Sequence, residues 1–245
     1  MYGQVRRRPL VLTVATFAAI FYLISGCGLN GKPVSPTRDA GARVPLASTP
    51  SPVLRGSTAP MVMIIGDSFT VGSGPVPGWD SYAAQTARAL GWQLVVAGAS
   101  GTGFVNPGPV GRTFEMSFDK ELSWRPPPDL LIISGGHNDR QVSPGTVHQA
   151  VERLLELARR RWPETRIVVI GPLWMAKAPD WSYQVRDAVA VAAEEAKTPF
   201  LDPLGRSWGS GTILPDGVHP TYEGHEKIAH WLVDALHKYG LGPST

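Results

Sequence analysis

The chain of 245 residues has one cysteine, Cys27, so no intrachain disulfide can brace the fold. Its one Gly-x-x-x-x-Gly-Lys stretch, Gly26 to Lys32, is followed by Pro33 and so lacks the Ser or Thr that completes the phosphate-cradling loop of many nucleotide hydrolases. Its one Gly-x-Ser-x-Gly, Gly205-Arg206-Ser207-Trp208-Gly209, leads into no helical pattern, which argues against an ordinary nucleophile elbow. No cluster of His, Cys, Asp and Glu has metal-site spacing, so neither a metal nor an organic cofactor is expected. No acidic residue precedes Asp39, and there is no internal repeat. Arg6, Arg7 and Arg8 account for the whole excess of 23 Lys and Arg over 20 Asp and Glu. The rest of the chain is neutral, without the basic stripe that nucleic-acid binding needs.

What is present begins with a leader. The three arginines precede an apolar run from Pro9 to Ile24, followed by Ser25-Gly26-Cys27. That order, a charged region, an apolar region and then small residues, is the pattern of a secretory signal. The apolar run is short for a membrane span. Ile24-Ser25-Gly26-Cys27 resembles the lipobox of bacterial lipoproteins, which implies lipidation of Cys27. Residues 1–27 are thus expected to be a signal peptide or an uncleaved anchor. Either reading puts the protein outside the cytoplasmic membrane, anchored through its N-terminus or secreted. Residues 28–60 are rich in Gly, Pro, Ser, Thr and Ala, cannot bury a core, and read as a disordered tether. The folded domain is expected over 61–245.

Within that domain short apolar runs alternate with helical periodicity. Strands are expected at 61–65, 93–97, 129–133, 166–170 and 200–201, and helices at 79–90, 147–162, 181–197 and 222–239. This alternation implies right-handed crossovers and a parallel sheet covered on both faces, an α/β fold. Ligands bind such sheets at the carboxyl ends of the strands. Three of those ends are chemically alike. The first reads Gly66-Asp67-Ser68, the second Gly98-Ala99-Ser100-Gly101, the third Gly135-Gly136-His137-Asn138-Asp139.

A nucleophilic serine at Ser68 needs a base, and the base needs an orienting partner. His148, His225, His230 and His237 fall on expected helices and read as packed or solvated residues. His137 stands near the candidate rim. His219 lies in Asp216-Gly217-Val218-His219, where a carboxylate three residues upstream can accept from Nδ1 and leave Nε2 for the serine proton. Donors for a developing oxyanion are the N–H groups of Ser68 and Gly101 and the amide of Asn138. Asp139 reads as a loop organiser.

Together these segments resemble the SGNH/GDSL hydrolases. Gly-Asp-Ser, a glycine after the second strand, Gly-x-Asn-Asp and Asp-x-x-His occur in the family's order from about Met61 onward. The resemblance implies a flavodoxin-like α/β/α sandwich with a five-stranded parallel sheet. It implies an esterase or lipase-like hydrolase with Ser68, Asp216 and His219 as triad, and Ser68, Gly101 and Asn138 as oxyanion hole. The second block departs from the family, with no asparagine just before its glycine, and Gly98 and Gly103 stand as alternatives to Gly101.

The expected partner is a small-molecule, glycan or lipid ester. Trp79, Trp174, Trp181 and Trp208 fall in or beside loops that could stack on sugar rings. No long apolar insertion suggests a lipase lid. The same residues would also serve acyl transfer to a sugar or lipid, and a catalytically silent glycan-binding protein is the rival from outside enzymology. Sequence alone leaves the oligomeric state open.

Overall fold

A computed structural model describes residues 59–241. The leader, Cys27 and all of the tether except its last two residues lie outside the described residues. Pro60 already accepts from Gln93 N at 2.9 Å, which fixes the start of the sheet.

Five strands form the sheet: β1 (Met61–Gly66), β2 (Gln93–Gly98), β3 (Leu130–Ser134), β4 (Arg166–Ile170) and β5 (Phe200–Leu201). All neighbours are parallel, in the order β2-β1-β3-β4-β5. The chain moves from β1 outward to β2, then returns to the other side of β1 to form β3. That reversal opens a crevice at the carboxyl ends of β1 and β3, where such sheets take ligands. The expected fold class, an α/β fold with a five-stranded parallel sheet flanked by helices, is the observed one.

The layering follows from the two-residue period of a strand. Val62 and Ile64 of β1 join one apolar cluster, while Met63 and Ile65 join the other. Leu130 and Ile132 of β3 likewise oppose Leu131 and Ile133. One face is covered by α2 (Tyr82–Leu90) and α6 (Tyr222–Lys238), the other by α4 (Pro144–Arg161) and α5 (Asp180–Glu195). Among the described residues no helix is long and apolar enough to cross a membrane.

Several boundaries differ from expectation, each for a local reason. The helix expected at 79–90 begins at Tyr82, because Ser81 takes the N-cap position and Gly78–Asp80 form a separate 3-10 turn. The helix expected at 147–162 begins three residues earlier, at Pro144. Ser143 accepts from Thr146 N at 3.2 Å, and proline suits the first helical position, which needs no N–H. Asp129 stands outside β3; its N–H donates to Met61 O while its Oδ2 accepts from Met61 N, so it closes the end of the ladder. Arg159 and Arg161 do more than favour a helix end. Arg159 donates to Thr198 Oγ1 at 2.7 Å and Arg161 to Ser123 O, tying α4 to the segments before β5 and β3.

Two short helices were not expected. α1 (Ser68–Val71) starts directly after β1, and α3 (Phe114–Ser117) runs into a π-type turn, Phe118–Leu122. Phe104, Phe114, Phe118 and Leu122 of this connection are buried against the α4 and α5 side of the sheet.

The end of β2 has a tight steric requirement. Gly98 has φ +105°, and a Cβ there would stand 2.0 Å from Gly66 O, a backbone atom that cannot rotate away. Gly98→Ala should therefore lower the thermal midpoint by roughly 4–8 °C, corresponding to about 2 kcal/mol of strain. Gly145→Ala, in open space at the start of α4, should leave it unchanged or raise it. Calorimetry on the three proteins checks this; equal midpoints for wild type and Gly98→Ala would refute it.

Candidate active site

The chain enters α1 through a short turn. Asp67 is the N-cap, its Oδ1 accepting from Phe69 N at 3.0 Å. Ser68 is thus the first helical residue, and its N–H has no partner within the helix. Its hydroxyl stands at the carboxyl edge of β1, beside the topological crevice.

His219 reaches it from the loop before α6. Nε2 lies 2.9 Å from Ser68 Oγ, and Nδ1 lies 2.7 Å from Asp216 Oδ2. Asp216 Oδ1 accepts from the N–H groups of Val218 and His219, at 2.9 and 3.0 Å. The carboxylate therefore closes a tight turn around the imidazole that it orients. Its contact with the His219 ring, aided by the two backbone donors, holds the Asp216 pKa down at about 2. It stays ionised at any pH where the protein would work. Phe69 packs beside the ring, with centroids 5.8 Å apart.

The turn after β3 supplies Asn138. Its Nδ2 donates to Thr102 O at 2.9 Å and, with a longer bond of 3.3 Å, to Asp67 Oδ2. Asp139, fully buried, is indeed turned away from the cleft. Its oxygens accept from Phe104, Val105 and Asn106 N–H at 2.8–3.0 Å, so it folds the loop after β2 onto the turn after β3. Burial raises its pKa in spite of these three donors.

The three glycines of that loop have separate places. Gly98 packs on Gly66, and Gly103 donates its N–H to Asn106 O at 2.8 Å. Gly101, at φ +78°, lines the cleft with Ser68 and Asn138. The structure thus brings Ser68, Gly101, Asn138, His137 and His219 to one cleft of about 570 Å³, with Asp216 behind His219.

Of the four tryptophans expected near the rim, Trp174 and Trp181 line the cleft. Trp174 stacks on His137 at 4.5 Å and meets Trp181 edge-on. Trp79 does not belong to this wall and is 72% exposed. Trp208 is buried behind it, donating from Nε1 to Trp174 O at 2.8 Å. Burial lowers the His137 pKa, and its Nδ1 lies 3.1 Å from Leu173 O.

Beneath the site runs a polar network that sequence reasoning did not anticipate. Tyr82 OH donates to Ser134 Oγ at 2.8 Å and lies 2.9 Å from Thr70 Oγ1, while Tyr82 N donates to His225 Nδ1 at 3.1 Å. It links α1, α2, α6 and the end of β3. Burial pushes the Tyr82 pKa up to about 12 and the His225 pKa down to about 4, so both are neutral. Asn106 and Arg140 were also missed. They sit in loops, where no periodicity marks a side chain for the cleft.

Among the described residues, one group brings metal-type ligands together away from the cleft. His148, Glu152 and Glu195 lie within 4.8 Å of one another. Both His148 nitrogens face carboxylates, Nδ1 toward Glu152 at 3.3 Å and Nε2 toward Glu195 at 2.8 Å. Through these contacts His148 and Glu152 of α4 meet Glu195 of α5.

A serine hydroxyl, an imidazole and a carboxylate in line, on the rim of a parallel sheet, define a serine-hydrolase type of site. The chain belongs to the GDSL-like lipase/acylhydrolase family, hydrolases that act on ester bonds; residues 64–227 match the family pattern. It is 30% identical to a GDSL lipase of Mycobacterium tuberculosis over 181 residues, 69% of this chain and 78% of that protein. Its fold is similar to that of a family two carbohydrate esterase from Clostridium thermocellum in complex with cellohexaose. There the TM-score is 0.63 at 20% identity, over 77% of this chain and 67% of the other. It is also similar to Est24, a carbohydrate acetylesterase from Sinorhizobium meliloti, with TM-score 0.59 at 20% identity, over 74% and 99% of the two chains.

The buried Asp67 gives the site a pH signature. Burial lifts its pKa from 3.8 to about 7, against the opposing bond from Phe69 N–H. Between these values the native state keeps a proton that the unfolded state loses. The associated stabilisation is complete below about pH 4 and is lost as pH rises to about 7. Asp67→Asn removes the titration while its amide oxygen can still cap α1. The melting-temperature difference, variant minus wild type, should therefore grow from pH 4 to pH 7 and then level off. A difference that stays constant over this range would contradict the assignment.

Proposed function

We propose that Ser68 is the nucleophile in hydrolysis of a carboxylic ester through an acyl-enzyme. The single observation that carries this reading is the continuous relay from Asp216 through His219 to Ser68, at 2.7 and 2.9 Å. Oγ attacks the ester carbonyl carbon as its proton passes to Nε2. Asp216 keeps the Nδ1 proton in place and stabilises the imidazolium. The carbonyl oxygen becomes an oxyanion facing the N–H of Ser68, the N–H of Gly101 and the Asn138 amide. Collapse of this intermediate releases the alcohol, which takes the proton from Nε2. Water then repeats the sequence on the acyl-serine and restores the hydroxyl.

For the substrate we infer an acylated carbohydrate. Trp174, Trp181 and His137 form an aromatic wall on the cleft, suited to the faces of sugar rings. The similarity in fold to two carbohydrate esterases supports this choice.

Steady-state kinetics with one small aryl ester, together with labelling by a fluorophosphonate, test the chemistry. Ser68→Ala should abolish both turnover and labelling. Asn138→Ala should lower kcat by roughly a hundred- to a thousandfold, with a much smaller change in KM, because the bond strengthens only in the transition state. It should still be labelled slowly. Turnover that survives Ser68→Ala would overturn the mechanism, and near-wild-type kcat in a folded Asn138→Ala would remove the amide from the oxyanion hole.

We further propose that this chemistry is displayed at the cell envelope through lipidation of Cys27, a reading supported by the residue order Ile24-Ser25-Gly26-Cys27. Cys27→Ser should abolish incorporation of a labelled fatty acid into the protein in its host. Mass spectrometry finding an intact, unmodified N-terminus in the native protein would exclude it.

A further inference from the structure

The relay explains the floor of the cleft but leaves one charged side chain on its wall without a task. Arg140 follows Asp139 directly, is exposed, and lines the cleft with Trp174 and Trp181. Among the described residues it is the one arginine that meets no carboxylate, carbonyl or aromatic ring. Arg88, Arg112, Arg153, Arg160 and Arg186 pair with acids. Arg125, Arg159, Arg161 and Arg166 donate to carbonyls, and Arg206 lies over Trp208.

The surroundings make that guanidinium an unbalanced charge. No carboxylate lines the cleft. Of the acids around it, Asp67 is buried beneath Ser68, Asp139 is saturated by three backbone N–H groups, and Asp216 is engaged with His219. Arg140 is near enough to His137 for its charge to add to burial in lowering the pKa of that imidazole. A substrate thus meets an aromatic wall carrying one uncompensated cation. A guanidinium presents a planar fork of donors that matches the oxygens of a carboxylate or a phosphate.

We propose that Arg140 sets the specificity of the cleft and that the preferred ester bears an anionic group, a carboxylate or a phosphate. This inference rests on the ester-hydrolase reading above. It narrows the substrate from acylated carbohydrate in general to an acidic one, such as a sugar carrying a carboxylate or a phosphate beside the acylated hydroxyl. Arg140 takes no part in the proton relay; it acts by holding the anion while the aromatic wall holds the ring.

The test compares matched pairs of esters. For an anion on the alcohol, 4-acetoxybenzoate and 4-acetoxyphenyl phosphate are each set against methyl 4-acetoxybenzoate. For an anion on the acyl group, 4-nitrophenyl hydrogen succinate is set against its methyl ester. In each pair the ratio of kcat/KM, anionic over neutral, is measured for wild type, Arg140→Gln and Arg140→Lys. In at least one pair the wild-type ratio should exceed that of Arg140→Gln by roughly tenfold, mainly through KM. The lysine variant should fall between them, and added salt should shrink the difference, because the charge is exposed. The pair that responds identifies which part of the ester carries the anion, and whether carboxylate or phosphate is favoured. Ratios that do not change between wild type and Arg140→Gln in every pair would overturn the proposal. Absence of turnover of all esters, neutral ones included, would instead bring down the ester-hydrolase reading and this one with it.

Discussion

The carboxylate of Asp139 is the interaction on which the rim depends. An ionised carboxylate away from water is destabilising unless its lone pairs are filled. Here the chain from Phe104 to Asn106 turns three successive N–H groups toward it. The fit leaves no room for a side chain at residue 103, where a Cβ would stand 2.5 Å from Asp139 Oδ2. Asn106 adds a second tie, donating from Nδ2 to Asn138 O at 2.8 Å. The loop that carries Gly101 and the turn that carries Asn138 are thereby one unit. Two candidate oxyanion donors from distant parts of the chain keep a fixed separation, which preorganised stabilisation of a transition state requires.

The proposed nucleophile and its proposed base are held by different means. Ser68 sits above the Thr70, Tyr82 and Ser134 hydroxyls, which fix α1 to α2 and to the end of β3 inside the protein. His219 comes from an exposed loop, 151 positions along the chain from Ser68. That loop is closed by Leu214 N donating to His219 O, by Thr221 N donating to Thr212 O, and by the Asp216 turn. His225, one turn into α6, ties the same helix to the start of α2 through Tyr82 N. The base is thus delivered by a loop whose own contacts are near the surface, on a helix anchored in the core.

The sheet and the relay were legible in the sequence because both are written in local patterns. Buried parallel strands are short apolar runs, and each of the five was found within a residue. Asp216 and His219 stand three apart, close enough for a turn to join them, and Ser68 follows β1 directly. What was not legible depends on packing between distant segments. Nothing local says that Phe114 and Phe118 would form a short helix against α4, since four residues of α-helix have little stability alone. Tyr82 and His225 look like ordinary helix residues until the two helices meet. Trp208 and Trp79 are indistinguishable from Trp174 by loop position; only burial separates a residue that supports the wall from one that forms it and one that does neither. Which of Gly98, Gly101 and Gly103 lines the cleft likewise depends on what lies opposite each glycine.

Asn138 raises a question of competition. Both hydrogens of its amide already have acceptors, Thr102 O at 2.9 Å and Asp67 Oδ2 at 3.3 Å. In the proposed mechanism an oxyanion takes one of them over. The bond to Asp67 is the longer, and hydrogen bonds weaken with length beyond about 2.9–3.0 Å. Its acceptor is also weakened chemically: burial raises the Asp67 pKa to about 7, so below that pH the carboxyl is largely neutral. A neutral carboxyl competes poorly with a full negative charge, because charge-assisted hydrogen bonds are roughly twice as strong. It also places no negative charge beneath the atom where one is about to develop. The same burial that makes Asp67 a burden on the folded state at high pH thus leaves the amide free to turn toward the transition state.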